Sequence, residues 1–291
     1  MSSNRQSGFT LVEIIIVIAI MGIIGGLSTL IIGRSLDAYA ALERRENLQT
    51  SIRLAVERMS RELRHALPNS VCVSNGGACI VAAGSSFHFI PIIDSGRYQD
   101  RPGAYVGGPA ILRNRLPVSP QSRDRFDVLS TNLANGLTAA ANDWVSVYNL
   151  NNIDIYLGIN DVRHQISAIA QKDIHNDGDA NTDINQIQFG ANRSFANHSP
   201  TRRFHIIDDT QQVALFSYDA VNRNLTRDTT TFAAPNIAAN PRLLMQNVEA
   251  CNFTFTPGAP QRAGLLRIDI TVAEQGETIR VIHNAHIYNT P

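Results

Sequence analysis

The chain has almost no lysine. Lys172 is the only one, so nearly every cation is arginine. Neither sign of charge is in excess, with 25 basic against 25 acidic residues and a formal net charge of +0. That balance removes the basic surface on which nucleic-acid binding depends, and no nucleic-acid partner is expected. No GxSxG elbow, HExxH helix or phosphate-cradling glycine loop occurs, so no motif argues for an enzyme. Proline is absent before Pro68, and charge is absent from Ile14 to Gly33. The first absence permits one long helix from about Phe9 to about Leu67. The second makes residues 9–33 a transmembrane segment, since twenty uncharged residues at 1.5 Å each span about 30 Å of hydrocarbon.

What is present at the N-terminus is a short polar leader, Met1 to Gly8, then Gly8-Phe9-Thr10-Leu11-Val12-Glu13 and the apolar run. An ordinary secretory signal has a basic region before the apolar core and a small-residue cleavage site after it. Here the Gly-Phe junction precedes the core. Glu13 is a lone acid just inside the run, and a carboxylate in lipid costs several kcal/mol unless something pairs with it.

Gly8, Phe9, Thr10, Leu11, Glu13 and the apolar run resemble the class III signal of type IV pilins and pseudopilins. The resemblance implies that a prepilin peptidase cuts after Gly8 and methylates the new N-terminal amine of Phe9. It also implies that Glu13, fifth in the mature chain, pairs with the N-terminal amine of a neighbouring subunit during filament entry. Subunits at the extreme tip of such filaments can lack this glutamate, so its presence implies a subunit packed like the others. Many pilins carry a proline partway along the apolar segment. This chain has none, and Gly25-Gly26 is the expected place for any local melting in a filament. Residues 54–70 and Phe216-Ser217-Tyr218-Asp219 narrow the resemblance to large minor pilins of the J and W type. The nearest likeness is to those of the mannose-sensitive haemagglutinin (MSHA) pilus. Expected partners are the prepilin peptidase, other minor and major pilins, the inner-membrane assembly platform and membrane lipid. The expected location is the bacterial inner membrane, with one pass and a periplasmic head.

The second half of the helix, residues 34–68, is amphipathic. Leu48, Ile52, Ala55, Val56, Met59, Leu63 and Leu67 form one stripe. The other faces carry a charge run read as solvated, with Glu57–Arg61 and Arg58–Glu62 as i,i+4 pairs. Residues 69–291 read as a β-rich head. Expected strands include Phe87–Ile90, Trp144–Tyr148, Ile153–Leu157, Phe204–Ile207 and Val213–Tyr218. The clearest signal is a hairpin running from Leu266 to Ile282 about a turn at Gln275-Gly276. The stretch from Arg97 to Arg125 reads as a surface loop. The expected fold class is α+β: a long helical stalk packed on an antiparallel sheet.

Three cysteines remain to be placed: Cys72, Cys79 and Cys251. Asn75-Gly76 fits a two-residue type I′ turn, which sets Cys72 opposite Cys79 at roughly 5.5 Å between Cα atoms, within disulfide range. A zinc site is the competing reading, without a second cysteine pair or suitable histidine spacing behind it. Cys251 reads as a buried free thiol. Asp177, Asp179, Asn181 and Asp183 alternate as calcium ligands do, but Thr182 stands where a calcium loop has glycine and Gln188 where it ends in glutamate. Both calcium binding and a solvated acidic loop remain open, and no other cofactor is expected. His283 and His286 face opposite sides of a strand. A J-type pseudopilin of a type II secretion system is the rival within the class. A pilus-displayed adhesin is the rival outside it, with Gly96–Arg125 and Asn192–Arg203 as the regions to inspect for exposed aromatics.

Overall fold

Helix α1 (Leu11–Leu63) is 53 residues long, about 80 Å at 1.5 Å per residue. It belongs to a computed structural model that describes residues 10–75, 79, 83–100, 114–131, 139–172, 184–257 and 264–287. The helix runs unbroken through Gly25 and Gly26. It stops short of the expected end because its last turn tightens: His65 N–H donates to the Glu62 carbonyl and Ala66 N–H to that of Leu63. Leu67 N–H then donates to the Ile90 carbonyl at 2.7 Å, and Pro68 prevents continuation.

Next come β1 (Cys72–Ser74), β2 (Ser86–Phe89), β3 (Asp94–Tyr98), β4 (Arg123–Thr131), β5 (Trp144–Ser146), α2 (Asn152–Leu157), β6 (Arg163–Gln165), β7 (Ala168–Lys172), β8 (Ile184–Arg193) and β9 (Arg203–Ile207). The last third holds β10 (Val213–Asp219), β11 (Asn224–Thr230), β12 (Arg242–Met245), β13 (Val248–Thr256), β14 (Gly264–Glu274) and β15 (Glu277–Ile287). They form a five-stranded sheet in the order β1-β2-β10-β11-β12, a three-stranded meander β13-β14-β15, and a seven-stranded sheet β6-β5-β9-β3-β4-β8-β7. β2 and β10 are hydrogen-bonded neighbours, with Phe89 opposite Ala214. Everything in the seven-stranded sheet, β3 to β9, is inserted between them.

The first core lies between α1 and the two smaller sheets. Leu48, Ile52, Ala55, Val56, Met59 and Leu63 pack there with Phe87, Phe216, Phe253, Leu266, Ile268 and Ile270. Burying each such large apolar side chain contributes roughly 1.5–3 kcal/mol, so this face holds the stalk on the head. β14 alternates as its sequence requires, with Leu266, Ile268, Ile270 and Val272 buried. Its turn to β15 is at Gln275 and Gly276, with φ of 47° and 86°, the positive pair of a type I′ turn. A second core, with Tyr98, Phe126, Phe195 and Phe204, belongs to the inserted sheet. A third cluster joins the two at Leu67, Cys72, Ile90, Tyr156, Ile207 and Val213. Polar ties cross the same junction: Asn149 Nδ2 donates to the Pro68 carbonyl at 2.8 Å and Asn69 Nδ2 to that of Asn149 at 2.9 Å.

The structure corrects three expectations. Ile153–Leu157 is not a strand but most of α2. The Asn151 side chain accepts from Ile153 N–H, and Gly158 ends the helix at φ 65°, so local caps override the β-branched run. The strand paired with β1 is β2, so His88 is the cross-strand neighbour of Cys72, while Gly76 of the expected turn lies outside the described residues. The stretch from Arg97 to Arg125 is loop only in part: its ends enter β3 and β4, and Leu116 is buried in the second core. Glu57 pairs with Arg53 at 2.8 Å, one turn earlier than expected, while Arg58–Glu62 forms at 3.1 Å as read.

Candidate functional site

Two places concentrate the unusual chemistry: the start of α1 and the corner where the chain leaves it. At the start, Thr10 caps the helix, and its hydroxyl oxygen accepts from Glu13 N–H at 3.3 Å. Thr10 and Glu13 thus stand in T-x-x-E spacing, with the acid in the first turn, where the unpaired N–H groups favour negative charge. Glu13 has a local role in the first turn beside the pairing with a distant amine that the resemblance implies. Gly8 and Phe9 lie outside the described residues.

Behind Glu13 the described residues of the helix are exposed as far as Tyr39. Leu11 is 76% exposed and Ile31 65%, whereas Met59 and Leu63 are at 0%. Such a continuous apolar surface is not tolerated in water and requires lipid or other helices around it. The helix is long and apolar enough to cross a membrane. Nearer the head the charged face is not wholly solvated. Arg227 reaches Glu62 at 3.2 Å, Arg45 reaches Glu277 at 3.8 Å, and Ser60 shares a hydrogen bond of 3.1 Å with His283. These contacts fix the rotation of the helix against β11 and β15.

At the corner, Cys72 and Cys79 are joined as a disulfide with Cα atoms 5.5 Å apart. His88 lies beside it, with Nε2 3.9 Å from Cys79 Sγ. The Cys72, Cys79 and His88 ligand atoms all fall within 4.8 Å of one another. His88 arrives there through the β1–β2 pairing, for which the sequence carries no signal of its own. Its ring meets the edge of Tyr156 at 5.1 Å, and its Nδ1 is buried without a partner. Burial pushes the imidazole down to about 4. Tyr156 Oη donates to the Ser70 carbonyl at 2.7 Å, which ties α2 to the same corner. Cys251 is a buried free thiol in the first core, pushed well up by burial. Asp177, Asp179, Asn181 and Asp183 lie outside the described residues. In the two regions singled out for exposed aromatics, Tyr98 and Phe195 are buried.

Residues 3–29 match a family model described as the prokaryotic N-terminal methylation motif. No curated protein and no solved structure matches the chain. The motif covers most of the leader, the Gly8–Phe9 junction, Glu13 and most of the exposed apolar run. Such a motif implies processing by a prepilin peptidase and assembly as a pilin. With a long apolar helix followed by antiparallel sheets, it supports a membrane-anchored type IV pilin-like protein of α+β fold.

Proposed function

We propose that the chain is a minor pilin of a type IV pilus of the MSHA type, resembling the minor pilin MshO, and that it takes part in pilus assembly or priming. The observation that carries this reading is the bare apolar half of α1 with one acid, Glu13, at its head. The prepilin peptidase cuts the Gly8–Phe9 bond and methylates the Phe9 amine. The subunit then waits in the inner membrane with its head in the periplasm. On entry to the filament, the Glu13 carboxylate pairs with the N-terminal amine of a neighbour, which offsets the cost of burying both charges. The stalk–head contacts at Glu62, Ser60 and Met59 keep the helix at a fixed angle to the surface that other pilins meet. The role is architectural, with no catalytic step.

A J-type pseudopilin shares the N-terminus. The inserted seven-stranded sheet, between two neighbouring strands of the helix-proximal sheet, favours a pilus subunit over a compact pseudopilin. The buried aromatics at Tyr98 and Phe195 weigh against an adhesin. The test is intact mass of membrane-extracted protein from cells with the peptidase. Wild type is expected to begin at methylated Phe9, and Gly8→Ala to remain uncut. Uncut wild type overturns the reading.

A further inference from the structure

The disulfide corner contains more than a cross-link requires. A structural cystine is satisfied by apolar neighbours, yet here a buried imidazole stands against it with Nδ1 unpartnered. An unpaired buried polar atom costs free energy that an aliphatic side chain at the same place avoids. Cys72 and His88 are directly opposite on β1 and β2, and Cys79 is joined to Cys72 by the disulfide. Tetrahedral zinc at its usual bond lengths sets sulfur and nitrogen about 3.6 Å apart and two sulfurs about 3.8 Å apart. The Cys79 Sγ to His88 Nε2 separation of 3.9 Å is already near the first value. The two sulfurs must part, and all three ligand atoms already lie within 4.8 Å of one another.

We propose that Cys72, Cys79 and His88 form a redox-gated site for one thiophilic divalent cation, zinc foremost. In the oxidised chain the S–S bond uses both sulfurs and no ion binds. A periplasmic dithiol reductant delivers two electrons and two protons, becomes a disulfide itself, and leaves Cys72 and Cys79 as thiols. Ion binding then releases both protons to solvent and forms two metal–thiolate bonds and one bond to His88 Nε2. Two soft sulfurs and one imidazole select zinc over calcium or magnesium. The fourth position opens towards a pocket of about 420 Å³ lined by Ile153, Tyr156, Leu157 and Pro235, where water completes the tetrahedron. Cys251 belongs to a different core and takes no part.

The full-length protein in detergent, reduced with a phosphine under anaerobic conditions, is titrated with cobalt(II) alone. One equivalent is expected to raise a sulfur-to-cobalt charge-transfer band that zinc abolishes. The oxidised protein is expected to give no band. His88→Gln should weaken cobalt binding at least tenfold, and Cys251→Ser should change nothing. X-ray absorption on the reduced wild-type zinc complex reads the ligands without any variant, expecting two sulfurs at about 2.3 Å and nitrogen or oxygen at about 2.0–2.1 Å. No band at millimolar cobalt, a band that needs Cys251, or an absorption spectrum without sulfur overturns the proposal.

Discussion

Leu54 and Leu63 lie on the same helix, and truncating either to alanine removes the same atoms. Leu63 is at 0% exposure in the core shared with Phe87 and Phe253, while Leu54 is 62% exposed. Leu63→Ala loses the transfer free energy of the deleted atoms and leaves a cavity between helix and sheet. Such changes cost about 2–5 kcal/mol, and a site closed on every side falls near 3 kcal/mol. Leu54→Ala deletes nothing buried and costs less than about 0.5 kcal/mol. Native-state hydrogen exchange on β14 amides reads this directly, because β14 lines the same core. Leu63→Ala should speed their exchange about a hundredfold and Leu54→Ala by no more than about twofold. Leu54→Ala should instead lower incorporation into filaments, since its face is open to neighbouring helices. Equal exchange in the two variants would refute the division of the helix into a head-facing and a partner-facing side.

Gly84→Ala should destabilise the head by several kcal/mol in denaturant titration, because an added Cβ falls 2.7 Å from the Ser74 carbonyl carbon and 2.9 Å from Val73 Cγ1. Stability should fall on acidification. Burial pushes His88 and His205 down to about 4. Below the ordinary value near 6.5 the unfolded chain therefore takes up protons that the folded chain refuses. Their contribution is whole above about pH 6.5 and is lost as pH falls towards 4, by about 2 kcal/mol each at pH 5. Urea midpoints at pH 7 and pH 5 measure it, and a flat profile is the refuting result. Reducing Cys72–Cys79 in metal-free buffer should cost about 2 kcal/mol from the entropy of a loop closed over a separation of 7 residues. Thermal melting with and without phosphine checks it, and a rise in midpoint under reduction contradicts it.

The sequence made the helix legible because its signals are local and repeated. The whole predicted stripe from Leu48 to Leu67 is buried. The β14–β15 hairpin was legible for the same reason, a strict alternation around one turn. Ile153–Leu157 misled because a β-branched pattern says nothing of the Asn151 and Gly158 caps that decide its conformation. The Cys72–Cys79 bond was legible from its spacing, but the pairing of β1 with β2, which gains Phe87 and Phe89 for the core, was not. Glu62 looked like a solvated position because its partner, Arg227, is more than a hundred residues away. A pairing at that distance leaves no trace in periodicity. His88, only 9 residues from Cys79, entered the cysteine corner through the β1–β2 pairing instead.

The topology carries one further consequence for stability. Among the described residues, the first core draws none from the chain between Ile90 and Val213, and the second draws only from that stretch. Because Phe89 and Ala214 are directly paired, the insertion leaves and returns at one point on the helix-proximal sheet. Coupling between the cores must therefore pass through the junction at Leu67, Ile90, Tyr156 and Val213 and its few polar ties. The same Leu63→Ala exchange experiment tests this. Amides of β4 and β8 should keep their protection within about 0.5 kcal/mol while those of β14 lose about 3 kcal/mol. Equal loss in both sets would mean that the cores open together, and that the inserted sheet is part of the stalk's own support. Unequal loss would mean that the insertion varies without disturbing the helix angle on which assembly depends.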